Sequence, residues 1–142
     1  MSITQSAIGI SMSGLAAQRA RMEVIAQNIA NADTIRTDEA EPYRRRAVAL
    51  SPGETLTFDQ YLEGEYAPGV AVSDIGGDES PFRVQYDPGN PYADENGFIT
   101  MSNVDTTREI LDLMAATRSY EANLTAMNAT KSLLTKTLEI GL

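Results

Sequence analysis

The sequence predicts a mainly α fold. Long N- and C-terminal helices pair as an antiparallel coiled coil, and a small irregular β/loop region lies between them. Three observations predict it. Ile8, Leu15, Met22 and Ile29 recur every seven residues near the start, and Leu113, Tyr120, Met127 and Leu134 do the same near the end. All six prolines and seven of the ten glycines fall between Asp33 and Asp105. A seven-residue apolar repeat keeps one seam of a helix facing a partner helix, whereas proline and glycine punctuate loops and turns. Three zones follow: 1–32, the N-terminal helix of an inner coiled-coil domain; 33–105, an extended, hairpin-containing outer region; and 106–142, the C-terminal helix of the inner domain.

The first helix is expected from about Ile3 to Asn31, a rod of roughly 42 Å. Ser2 and Gln5 have capping-box spacing. Met12 and Ile25 flank the heptad stripe. Gly9 and Gly14 lie inside the helix, each costing about 1 kcal/mol against alanine. With Ala7, Ser11, Ala16, Ala17 and Ala20 they leave a small-sided surface that a neighbouring helix can approach closely. Such a helix is better stabilised by packing than by its own propensity.

The last helix is expected from about Thr106 to Ile140. Thr106 and Glu109 have capping-box spacing, and Gly141 stands where a C-cap glycine belongs. Ile110, Leu124 and Leu138 lie beside its heptad stripe. The two stripes form either the internal core of one helical hairpin or surfaces that also pack between subunits.

In the middle, Tyr43–Leu50, Gly69–Ile75, Pro81–Tyr86 and Phe98–Met101 read as short strands. Asp87-Pro88-Gly89 and Asn96-Gly97 are turn signals, the second favouring a two-residue hairpin turn. Asp87, Asn90, Asp94, Glu95 and Asn96 bring calcium to mind because calcium prefers oxygen ligands, but their spacing is not that of an EF-hand, and Pro88 and Pro91 mark rigid turns instead. Arg44, Arg45 and Arg46 form the only basic run. They either pair with carboxylates of a neighbouring subunit or lie in an exposed loop.

The 142 residues suit one domain; 42% are hydrophobic, much of that alanine, and only 6% are aromatic. At about 25 cal/mol per Å² of buried apolar area, a core with so few large side chains is modest, and a partner surface is expected to complete it. The chain has no cysteine and no histidine, which removes thiolate nucleophiles, Cys/His zinc sites and histidine-dependent triads. No cofactor, metal or catalytic set is expected.

The net charge of −9 is unevenly spread: +1 over residues 1–32, −4 over 33–66, −5 over 67–104 and −1 over 105–142. Near-neutral ends can crowd together while an acidic middle stays solvated. The middle is therefore expected to tolerate lysine at Glu54 or Asp59 better than the seams tolerate charge. The pattern disfavours nucleic-acid phosphates. A secretory signal is not expected, because the N-terminus lacks a basic n-region and an unbroken apolar stretch. Its serines, threonine and glutamine make it too polar to insert in a bilayer.

Gly14-Leu15-Ala16-Ala17-Gln18, followed by Asn28-Ile29-Ala30-Asn31-Ala32-Asp33-Thr34, resembles the N-terminal signature of bacterial flagellar axial proteins. The resemblance extends through Pro42-Tyr43-Arg44-Arg45, Gly69-Val70, Ser80-Pro81-Phe82, Tyr86-Asp87-Pro88-Gly89-Asn90-Pro91, Asp94, Gly97 and Asn103-Val104. It continues in Arg118-Ser119-Tyr120-Glu121-Ala122-Asn123 and the tail Leu138-Glu139-Ile140-Gly141. Across essentially the whole chain, these residues are similar to the short proximal rod proteins of that family. Ser102 departs from the usual proline before Asn-Val and is expected to loosen the turn entering the last helix; Ile110 replaces a common methionine.

The resemblance implies a structural subunit of the basal-body rod in the periplasm, exported through the flagellar type III apparatus without a cleaved signal. It implies polymerisation around the export channel into the drive shaft that carries motor torque to the hook. The implied partners are copies of the chain, other proximal rod proteins, the distal rod protein, the adaptor joining rod to membrane ring, and the export apparatus. Nucleic acid and direct membrane insertion are not implied. The alternative from the residues alone is another secreted helical filament or needle, or a soluble coiled-coil adaptor.

Overall fold

A computed structural model describes residues 2–53 and 69–140. The side chains of the expected Ser2–Gln5 cap, the Gly141 cap and the tolerant positions Glu54 and Asp59 lie outside what is described. Two long helices carry the molecule, α1 (Ser2–Ala30) and α2 (Thr106–Ile140). Between them lie β1 (Arg46–Pro52), β2 (Val70–Gly77), β3 (Arg83–Tyr86) and β4 (Phe98–Met101). The fold is thus mainly α with a small β middle region. No described helix is long and apolar enough to cross a membrane.

The helices lie antiparallel. Moving back along α1 from Asn28 through Met22 to Gly14, the contacts on α2 move forward from Glu109 through Thr117 to Asn123. Close approach matters at Gly14, where an added β-carbon would come within 2.9–3.1 Å of the Asn123 side-chain amide. Gly9 has open space at the same position, so the two glycines of α1 are not equivalent.

The strands form two antiparallel pairs, β1–β2 and β3–β4. Ser73 is the extra residue of a bulge, since Ala49 pairs with Asp74 and Leu50 with Val72. The chain at Thr34–Arg36 lines the far edge of β4: Arg36 N–H donates to Thr100 O, and Ser102 N–H to Thr34 O. The β3–β4 connection is not the two-residue hairpin that Asn96-Gly97 suggests. It runs from Asp87 to Gly97, and only Gly97 has positive φ, at 81°. Asp94 dictates this, its carboxylate accepting from the N–H groups of Asn96 and Phe98. Asp94 and Asn90 thus spend side-chain oxygens on the loop's own backbone.

The β1–β2 hairpin lies along α1 as a strut. Its β1 edge is held at Arg46 by Asn28, and its β2 edge at Val70 by Ser13, whose hydroxyl accepts from Val70 N–H at 3.1 Å. Fifteen helical residues span roughly 22 Å, and the six steps from Arg46 to Pro52 roughly 20 Å, so the two clamps match in spacing. Gly69, with φ of 63°, brings the backbone so close to α1 that a β-carbon there would overlap Ser13 Oγ.

Burial is one-sided along α2 but not along α1, where Ser11 and Ala17 are buried as well as the last turns. Val24, Ile25, Asn28 and Ala32 of the α1 end meet Ile99, Ser102, Val104, Glu109 and Ala116, all buried. Beyond Ala116, no described residue of α2 is buried.

Candidate functional site

The chemistry-bearing cluster is a polar clasp where both helices meet the start of β1. Asn28 is fully buried and uses every hydrogen-bonding site of its amide. Its Nδ2 donates to Arg46 O at 2.8 Å and to Glu109 Oε2 at 2.9 Å. Its Oδ1 accepts from Arg46 N–H at 2.9 Å and from the Tyr43 hydroxyl at 3.0 Å. A side-chain amide that both donates to and accepts from one residue's backbone imitates a neighbouring strand, so α1 closes the open edge of β1.

Glu109, also fully buried, accepts from Arg45 Nε at 2.7 Å. Two more carboxylates approach the same guanidinium, Asp78 at 3.4 Å and Asp112 at 3.6 Å. Burial works against the charge on Arg45. The hydrogen bond and charge of Glu109, with Asp78 and Asp112, outweigh that and raise its pKa. A buried pair is favourable only when its remaining valences are satisfied, and Asn28 satisfies the second oxygen of Glu109. Burial is the main cause that raises the Tyr43 pKa above its ordinary 10.0; Arg46 opposes the rise and Glu109 adds to it.

Further hydrogen bonds from Asn103 and Arg83 anchor the entry to α2. Asn103 Oδ1 accepts from Arg45 N–H at 2.7 Å, and its Nδ2 donates to Asp78 O and to Ser80. Arg83 reaches across to donate to Ser102 O and Ala32 O. Ser102 does not loosen this turn. Its N–H, which proline would lack, bonds Thr34 O at 2.9 Å, and its hydroxyl accepts from Val104 N–H. The N-cap of α2 is Asp105, which accepts from the N–H groups of Thr107 and Arg108. The Glu109 carboxylate is committed to Arg45 and Asn28, so the expected Thr106–Glu109 capping box is replaced by an Asp105 cap.

Each expected seam residue can be placed. Ile25 is buried; Ile8, Leu15, Met22 and Ile29 are half-buried, and Met12 is 58% exposed. Leu113, Tyr120, Met127 and Leu134 are all half-buried, whereas Ile110, Leu124 and Leu138 are exposed. The other leg of the α2 seam is Glu109, Ala116, Asn123 and Thr130, again buried or half-buried and again seven apart. It is small and polar, so a search for apolar repeats passes over it. In the basic run, Arg45 belongs to the clasp. Arg44 donates to Asp78 O and Ser80 O and stacks 4.4 Å above the Phe82 ring. Arg46 contributes its backbone to Asn28 and leaves its side chain exposed.

Comparison with known proteins accords with this two-helix plan. A family model described as flagella basal body rod protein matches residues 8–36, on α1 and the chain after it. A second, described as flagellar basal body rod FlgEFG protein C-terminal, matches residues 95–140, from β4 through α2. The chain is 46% identical to the flagellar basal-body rod protein FlgC of Bacillus subtilis, over 94% of this chain and 95% of that one. It is 37% identical to the protein of that name from Borreliella burgdorferi, over 95% of each. With that of Salmonella typhimurium it shares 39%, over 93% of each. Similarity at this level along nearly the whole length, across the helices and the clasp between them, shows that the chain belongs to the FlgC family of flagellar basal-body rod proteins.

Proposed function

We propose that the chain builds the proximal rod of the flagellar basal body by packing its two terminal helices, 1–32 and 106–142, as an inner coiled-coil layer around the export channel. Membership of the FlgC family makes it a structural subunit rather than an enzyme, one that assembles with other rod subunits in the basal body. The middle zone, 33–105, forms the outer layer. Copies of the chain, other proximal rod proteins, the distal rod protein and the adaptor to the membrane ring are its neighbours. The chain passes through the type III export apparatus into the periplasm without cleavage of a signal.

The observation that carries this reading is the uneven burial of the helix pair. The clasp fixes the helices to the middle at one end, while the α2 seam beyond Ala116 is only half-covered. Helices whose stability comes from packing are completed by neighbours, and a polymer supplies them. A transmitted torque would then pass between inner helices and outer layer through the Asn28–Glu109–Arg45 bonds.

The test is a clean deletion of the gene in its own bacterium. Loss of swimming, with basal bodies that end before the rod and recover on complementation, is the expected result. Normal rods in the deletion strain would overturn the reading.

A further inference from the structure

We propose that the cleft between α1, β1 and the first turns of α2 receives the C-terminal turns of α2 from a second copy of this chain. The proposal rests on the rod reading and adds which two surfaces of the subunit meet.

The cleft has a volume of about 270 Å³. Buried Val24 and Ile25 form its floor, with Val48 and the 39% exposed Leu50 on the β1 side. It has room for a few side-chain atoms of a neighbour, not for a whole helix. Its charges are nearly balanced: Arg45 is held by Glu109, and Arg21 by Asp112 at 3.3 Å. Arg46 is the exception. Its exposed guanidinium has no carboxylate within ion-pair distance among the described residues. A hollow of mixed polar and apolar walls over Val24 and Ile25, with a cation at its mouth that no described carboxylate holds, is complementary to an apolar side chain next to an anion.

The end of α2 presents that combination. Beyond the Gly14–Asn123 contact α1 has twelve more residues and α2 has seventeen. Among the described residues α2 therefore runs about five residues, roughly 7 Å, past the end of α1. Leu138 there is 60% exposed, and Leu133, five residues earlier, 63%. Glu139 adjoins Leu138 and is exposed, and no basic residue occupies the last turn. The negative end of the helix dipole adds to the same sign.

The two surfaces cannot meet within one chain. Glu109 lines the cleft and Glu139 marks the tip, thirty residues apart on one helix, roughly 45 Å. The contact is therefore head-to-tail between copies. Such a contact uses two different patches and propagates into a ring or an open stack, which is the geometry a rod layer needs.

A chain without cysteine makes the test direct. Cells whose only copy carries both Arg46→Cys and Glu139→Cys are treated with a short bis-maleimide, which spans an arginine–glutamate pair but not the helix. The matched control pairs Arg46→Cys with Glu121→Cys. Covalent oligomers of this chain from the first pair alone, in basal bodies of swimming cells, are the expected result. Swimming cells with no such oligomers, or with Arg46 cross-linked only to a different protein, overturn the proposal while leaving the rod role intact. A deletion strain that still swims would instead defeat the rod reading itself. The second arm is charge exchange: Arg46→Glu should lower swimming several-fold, and adding Glu139→Arg should restore most of it. Equal defects in the single and exchanged variants count against the contact.

Discussion

Asn28 Nδ2 donates to Glu109 Oε2 at 2.9 Å, so the last turn of α1 and the first turn of α2 share a hydrogen bond inside the protein. Neither residue has freedom to turn elsewhere. Asn28 also carries the β1 edge, and Glu109 neutralises an Arg45 side chain that is only 16% exposed. Glu109→Leu would leave that guanidinium buried without its main partner. Removing one member of a buried pair costs about 3–5 kcal/mol, and urea unfolding of the purified chain should show a loss of that order. Arg45→Met combined with Glu109→Leu should recover much of it, because replacing both partners by apolar groups is far less costly than stranding one.

Asn28→Asp is a subtler variant. It keeps both acceptor contacts, from Arg46 N–H and Tyr43, but it turns two donors into acceptors and sets a carboxylate against Glu109. An unmet buried acceptor costs about 1–3 kcal/mol, and like-charge repulsion adds to it. Asn28→Asp should therefore be less stable than wild type at neutral pH and regain part of the difference as pH falls and the new carboxyl protonates. A pH-independent defect would contradict the geometry of the clasp.

The helices themselves were legible in the sequence, because seven-residue repeats of large apolar side chains are hard to mistake. The clasp was not, for a physical reason. Asn28, Ser102 and Glu109 are buried polar residues, and in a sequence they look the same as polar residues in water. Only their partners, brought in from 18, 68 and 64 positions away (Arg46, Thr34 and Arg45), make burial tolerable. The Thr106–Glu109 pair had the right spacing for a cap, but Asp105 outcompeted Thr106 and Arg45 claimed the carboxylate. The four strands were placed within a few residues. β1 begins at Arg46 rather than Tyr43, since Tyr43 N–H bonds Thr34 Oγ1 and Arg45 N–H bonds Asn103 instead of a strand partner.

The two glycines of α1 should respond differently to alanine. At Gly9 the new methyl meets nothing, and helix propensity favours alanine by about 1 kcal/mol. Gly9→Ala should raise the stability of the isolated chain by that amount. At Gly14 the methyl must displace the Asn123 amide, so the same gain is offset, and Gly14→Ala should be neutral or destabilising. Asn123→Ala in the Gly14→Ala background should release the gain. Thermal unfolding of the four proteins checks it.

Stability should also depend on pH at both extremes. The backbone and side chain of Ser80, and then Arg45, hold the Asp78 pKa below its ordinary 3.8 despite some desolvation. A depressed carboxyl stabilises the fold above its unfolded-state pKa, and that contribution is lost as pH falls through the folded-state value. The Tyr43 pKa is raised, mainly by burial, so its contribution is present below 10.0 and is lost as pH rises through the folded-state value. Asp78→Asn should flatten the stability curve on the acid side only, and Tyr43→Phe on the alkaline side only.

Hydrogen exchange on a verified monomer should follow the burial gradient. Amides of Val24–Asn28 and Ile110–Ala116, next to the buried cluster, should be the most protected. Those of the α2 end, from Leu124 onward, should exchange close to the free-helix rate because no described side chain there is buried. Uniform strong protection along both helices would mean that the pair is complete without neighbours, and the need for a polymer to cover it would disappear.

The sharpest separation of folding from assembly comes from Leu134. It continues the Leu113, Tyr120, Met127 series and is half-buried in the single chain, whereas Lys136, two residues on, is exposed. In the monomer Leu134→Asp can keep its carboxylate partly in water, so the purified variant should unfold within about 1 kcal/mol of wild type. In the rod the same side chain would be enclosed between helices. Burying an unpaired carboxylate costs several kcal/mol, and losing the leucine adds about 2–3 more. The helix can avoid that only by remaining undocked. Under the proposed export of an unfolded chain the seam is not used, so the variant protein should still leave the cytoplasm. Lys136→Asp adds the same carboxylate at a wet position and should support normal rods. Rod completion and swimming in cells carrying each variant as the only copy read the difference directly. If the two variants behave alike, the heptad stripe of α2 is not the surface on which the rod is built.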